Sequence, residues 1–229
     1  MRHQLSVSLV EYGRSTLGSP LRYIPCKARC KMLVVAGIHG EEPETTFLLS
    51  RTLRLIDRPF DHVAFVLCAN PDGMALGYRC NADGIDLNRN FPTSNWNAEP
   101  VYARSILEVP RDMRLSPGSA PGSERETRAL LRLFQELSPE TILSMHAPMA
   151  CVDAPTETPL VKSLCAAFNL PWTPDIGYPT PGSLGTWCKE RLATQKESPG
   201  CITLELPRMS LEALFERYAR PFAEWLEGV

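Results

Sequence analysis

"VVAGIHGEEPETT", residues 34–46, decides how this chain is read. An apolar, β-branched run stops at a glycine-flanked turn, and one histidine and two glutamates follow before Pro43. The run belongs to "KMLVVAGI" (31–38), short, continuous and apolar, as expected of a central strand covered on both faces. Pro43 suits the first turn of a helix, where its missing N–H costs nothing. "TTFLLSRTLRLI" (45–56) then continues with helical spacing of its apolar residues. The stretch reads as strand, turn, helix, with His39 and Glu42 at the mouth of a buried strand.

The same alternation recurs along the chain. "HVAFVLCA" (62–69), "TILSMH" (141–146) and "CITLELP" (201–207) are further apolar strands, and the last carries a glutamate. "SERETRALLRLFQEL" (123–137) opens on a capping box, Ser123 with Glu126, and runs as an amphipathic helix. "LVKSLCAAFNL" (160–170) and "SLGTWCKERLA" (183–193) read as helices, and Ser210 caps a last one. Residues 1–30 hold two strands, near 4–12 and 20–26, joined by "GRSTLGSP". The polar stretch 70–122 is too long for a simple connection, and loops of that length are usually functional. The expected fold is a single α/β domain spanning 1–229, with a mixed, largely parallel central sheet flanked by helices.

Composition narrows the partners. A net charge of −2 offers no basic face for nucleic acid. No apolar run approaches the roughly 20 residues that cross a bilayer, and the N-terminus alternates apolar with polar residues, unlike a signal peptide. A cytoplasmic protein with no membrane or nucleic-acid partner is expected. Its eight cysteines are then expected to be reduced, several of them inside apolar segments. "CKARC" (26–30) resembles half of a zinc ribbon but has no second close pair to complete it.

Three of the four apolar strands end at, or contain, a metal ligand or catalytic carboxylate: His39 with Glu42, His146, and Glu205. In open α/β sheets ligands gather at the carboxyl ends of strands, so these residues can converge. Two imidazoles and a carboxylate make a three-ligand zinc set with one position left open. A further carboxylate must shuttle the proton, and Glu205 is available for it. Blander readings exist: a histidine after a strand is often a loop residue, and Glu41 and Glu42 favour the positive end of the following helix. Glu205 is harder to dismiss, because an ionised carboxylate in an apolar strand is costly without a partner or a task. His3 and His62 receive no role.

"HGEE" (39–42) after an apolar strand, "NPDG" (70–73), "DLNRNFP" (86–92), "SMH" (144–146) and "TLEL" (203–206) occur in the order found in zinc carboxypeptidases. The chain resembles that family over residues 33–207. "GRSTLGSPL" and "TPGSLGTW" make it most similar to the bacterial murein peptide amidase branch, which releases meso-diaminopimelate from the γ-D-glutamyl bond of cell-wall tripeptides. The resemblance implies one zinc ion per chain held by His39, Glu42 and His146, with Glu205 activating water. It implies that Asn88 and Arg89 grip the substrate's free carboxylate, and that Arg79 stabilises the oxyanion. These roles fit the chemistry. A guanidinium fork matches a carboxylate, and a cation beside a developing oxyanion favours the transition state. Turn chemistry is the alternative for Asn88, Arg89 and Asn90. Asp72 and Asp86 are expected as turn residues or as acceptors for a ligand histidine's other N–H.

The family's substrate-covering tyrosine has no clear counterpart in "DIGYPTPGSLGTW" (175–187), where Tyr178 is the nearest candidate. Arg111, Arg114 and Lys189 are candidates for the diaminopimelate pocket. The rival readings are a zinc deacylase of small N-acyl amino acids, a general carboxypeptidase for α-linked peptides, and a peptide-binding module without activity.

Overall fold

The computed structural model describes residues 7–56, 58–105, 111–191 and 200–229. Its strands are β1 (Val10–Arg14), β2 (Pro20–Ile24), β3 (Met32–Val35), β4 (Val63–Val66), β5 (Val101–Ser105), β6 (Arg111–Leu115), β7 (Thr141–His146), β8 (Met149–Asp153), β9 (Trp172–Thr173) and β10 (Cys201–Pro207). Eight of them form one sheet in the order β1-β2-β4-β3-β7-β10-β8-β9. The central run β4-β3-β7-β10 is parallel throughout, while β1, β2 and β8 pair antiparallel. β5 and β6 form a separate hairpin.

Strand alternation builds two cores. Met32 and Val34, Val63 and Phe65, Leu143 and Met145 enter one core with helices α1 (Pro43–Ile56), α4 (Pro159–Phe168) and α6 (Leu211–Glu227). Leu33 and Val35, Ala64 and Val66, and Ile142 enter the other with α3 (Arg125–Leu137) and α5 (Leu184–Arg191). Both faces are covered, so the central strands read as unbroken apolar runs.

β10 departs from that rule on one face only. Ile202, Leu204 and Leu206 are fully buried in the first core, while Cys201, Thr203 and Glu205 share the other face. In register with β7 and β8 they form three rows: Cys201 beside Ile142, Thr203 between Ser144 and Asp153, and Glu205 between His146 and Cys151. Toward the carboxyl ends this face turns from apolar to polar, and a site opens there. This explains a glutamate inside an apolar strand.

Several local expectations change. β1 begins at Val10 rather than near residue 4, because its partner β2 ends at Ile24 and pairing stops at Val10–Tyr23; residues 1–6 lie outside the described residues. The Ser123–Glu126 capping box does not form. Glu126 instead accepts from the Thr16 N–H (2.8 Å) and Asn81 Nδ2 (3.3 Å), and Glu124 occupies the cap position. Within 70–122 the chain forms α2 (Pro71–Leu76), a 3-10 turn at Leu87–Arg89 and the β5–β6 hairpin.

The "NPDG" segment holds the end of β3 in place. Asn70 caps α2 by accepting from the Gly73 N–H (2.9 Å) and donates through Nδ2 to the Ile38 carbonyl (3.2 Å). Gly40 then passes directly over Gly73: a Cβ on Gly40 would lie 2.0 Å from the Gly73 carbonyl carbon. Backbone meets backbone here, so no side chain can yield. Gly40→Ala is expected to cost about 2 kcal/mol or more, read as a lower urea midpoint; an unchanged midpoint would contradict this packing.

Candidate active site

β3 ends at Val35, and the chain leaves the sheet through Gly37, whose φ of +65° suits glycine. The turn closes with the Glu42 N–H donating to the His39 carbonyl, and α1 starts at Pro43. His39 and Glu42 thereby project together. His146, the last residue of β7, arrives from the neighbouring strand.

The three side chains converge. His39 Nδ1 lies 2.7 Å from Glu42 Oε1, His146 Nδ1 lies 3.2 Å from Glu42 Oε2, and the two Nδ1 atoms are 3.2 Å apart. One ligand atom from each residue falls within 4.8 Å of the others, and all three residues are buried. Burial favours the neutral acid at Glu42, but the two imidazoles outweigh it and hold the carboxyl well below its usual range. Lone pairs of two imidazoles and a carboxylate aimed at one buried point fit a divalent cation preferring nitrogen and oxygen donors.

Neighbouring groups orient this set. Asp86 Oδ1 lies 3.3 Å from His39 Nε2, and its Oδ2 accepts from Arg79 Nε at 3.0 Å. The same aspartate caps the 3-10 turn through the Asn88 N–H (2.8 Å). Ser144 Oγ lies 3.0 Å from His146 Nε2. Asp72 is not part of this arrangement; it binds the Ser15 and Ser19 hydroxyls and the Leu17 N–H.

Glu205 is the register neighbour of His146 across parallel strands and is 8% exposed. Its Oε2 accepts a long bond from the Met149 N–H (3.4 Å). Burial raises its acid, with His146 partly opposing. Arg79 faces Glu41 (3.4 Å), Glu42 (3.6 Å) and Asp86, so its burial is outweighed and it stays protonated.

Arg89 differs from Arg79. It is 3% exposed, its Nη1 donates to the Asn88 carbonyl (2.7 Å), and its Nε has no partner. Among the described residues no carboxylate lies within ion-pair distance of it. Burial lowers its pKa, Asp86 partly compensating. A buried cation without a counter-ion is costly unless a ligand supplies the anion. Beside it, Asn88 Oδ1 accepts from the Leu184 N–H (2.8 Å), which leaves the amide N–H2 for the cleft.

His39, Glu42, His146, Glu205, Arg79, Asn88 and Arg89 line one cleft of about 1050 Å³. Lys189 lines it as well, Arg114 does not, and the Arg111 side chain lies outside the described residues. Tyr178, half exposed, lines it too, with its acid raised by burial and by the Glu205 charge. Sequence reasoning missed Glu41, inside "HGEE", as a partner of Arg79, and Asp153, which carries no motif signal, as a cleft residue. None of the helices among the described residues is long and apolar enough to cross a membrane, and all eight cysteines are free.

A family model described as zinc carboxypeptidase matches residues 1–156. Murein peptide amidase A of Escherichia coli (strain K12) is 41% identical over 218 residues, covering 94% of this chain and 88% of that protein. Its counterpart from Vibrio campbellii is 38% identical, covering 96% and 88%. The crystal structure of murein-tripeptide amidase MpaA from Escherichia coli O157 superposes with a TM-score of 0.87 at 39% identity, covering 98% of this chain and 94% of that one.

Proposed function

Because the chain belongs to the zinc carboxypeptidase family, we propose that it hydrolyses the γ-D-glutamyl–meso-diaminopimelate bond of the murein tripeptide, L-Ala-γ-D-Glu-meso-diaminopimelate. The observation that carries this reading is the likeness to murein peptide amidase A along nearly the whole chain. Release of diaminopimelate from the pure tripeptide is the expected result. Activity confined to α-linked peptides would remove the murein substrate and leave the peptidase.

His39, Glu42 and His146 would hold one zinc ion. Bound there, zinc would supply Lewis acidity toward the scissile carbonyl and acidify water. Glu205 takes the proton of the attacking water and passes it to the departing amine. Its burial supports that role, since a raised acid both accepts and returns a proton more readily near neutral pH. Arg79, fixed by Asp86, presents positive charge where the carbonyl oxygen becomes anionic. Tyr178, on the segment following β9, lines the cleft beside these groups.

Arg89 and Asn88 receive the free carboxylate that marks the end of the peptide. The missing counter-ion of Arg89 supports this role. Arg89→Met should therefore raise KM by roughly 10- to 100-fold, the value of a charge-assisted contact, with a smaller change in kcat. A KM equal to that of wild type in steady-state assays would remove Arg89 from carboxylate recognition.

A further inference from the structure

The catalytic row His146–Glu205–Cys151 has a second polar row beneath it. Ser144, Thr203 and Asp153 lie side by side across β7, β10 and β8, on the same face. They sit two residues deeper along the strands, roughly 6.6 Å. All three line the cleft. Below them the face becomes apolar at Ile142 and Cys201, so this row is the polar floor of the cleft.

Only Asp153 in that row is charged. Ser144 is already engaged with His146 Nε2. No side-chain hydrogen bond or ion pair among the described residues reaches the Asp153 carboxylate. Lys189 is a cation on the cleft lining, yet it makes no ion pair with Asp153. Burial and the nearby Asp175 carboxylate raise the Asp153 acid, with His146 partly opposing. A partly buried carboxylate of this kind is stabilised by a ligand that brings an ammonium group.

We infer that Asp153 is a specificity-determining residue: it binds the distal ammonium group of the departing amino acid. This rests on the proposed substrate, whose departing residue carries a second amino group at the end of a methylene spacer. With its carboxylate at Arg89 and its scissile amide at the catalytic row, that spacer has to run along the cleft. Asp153 is the unpaired anion one strand step below the reacting bond. An apolar departing residue would leave it desolvated and unpaired, so the same carboxylate rejects such substrates.

The experiment compares the tripeptide with an analogue ending in α-aminopimelate, which lacks only the distal amine. Asp153→Asn, nearly isosteric, should lower kcat/KM for the diaminopimelate peptide by about 10- to 100-fold, with little change for the analogue. Asp153→Glu should recover part of the discrimination. Equal losses on both peptides, or none on either, would overturn the inference. If wild-type protein does not cleave the tripeptide at all, the proposed function fails separately. Calorimetric binding of free meso-diaminopimelate and free α-aminopimelate then decides: a wild-type preference for the diamine that vanishes in Asp153→Asn upholds Asp153, and no preference refutes it.

Discussion

Glu205→Gln should lower kcat by about 10²- to 10⁴-fold, the usual contribution of a positioned proton-transfer group, while leaving metal content and KM close to wild type. Glutamine keeps the shape and can still accept the long bond from the Met149 N–H. It cannot take a proton from water. The wild-type pH profile should show the same residue. The base acts only when ionised, so activity rises with pH through the Glu205 pKa. Burial places that pKa above the ordinary 4.5. The acid limb of kcat/KM should therefore lie above 4.5 and disappear from the residual activity of the variant. Full activity in Glu205→Gln would remove it as the base.

His146→Ala should abolish metal binding and activity together. His146 supplies one of the three converging ligand atoms, and two remaining ligands cannot enclose the ion. Asp86 gives a comparison. It touches His39 without belonging to the ligand set, and loss of such an orienting partner typically costs 10- to 100-fold in metal affinity. Asp86→Ala should fall in that range, and His146→Ala beyond about 100-fold. Competition with a coloured chelator measures both, and circular dichroism checks that each variant is folded. Equal affinities in the two variants would contradict the assignment of His146 as a ligand.

How legible the sequence was depends on where the determining contacts lie. β3, β4, β7 and β10 could be read because each is a short, largely apolar run, a property local to the segment. The start of α1 at Pro43 was also a local signal. β8 and β9 were not legible. "MACVD" has little strand character of its own, and two residues cannot announce a strand; β8 exists through pairing with β10, and β9 through pairing with β8. The false capping box has a similar cause: Asn81 and the Thr16 N–H, both remote in sequence, draw Glu126 away from the helix end.

The convergence of His39, Glu42 and His146 was readable because strand ends of a parallel sheet share one edge, whatever their separation along the chain. The roles of Asp86 and Asp72 were indistinguishable as sequence, since either aspartate suits a turn. Only the fold puts one beside His39 and the other beside Ser15. Asp153 gave no signal at all. Its place on the cleft comes from a register between antiparallel strands, and β8 had not been read as a strand.

Anomalous diffraction at the zinc edge, on protein purified without chelators, tests the metal assignment most directly. One peak per chain is expected, bonded to His39 Nδ1, His146 Nδ1 and the Glu42 carboxylate and open toward Glu205. No peak there, or zinc held only by thiolates such as Cys26 and Cys30, would contradict it.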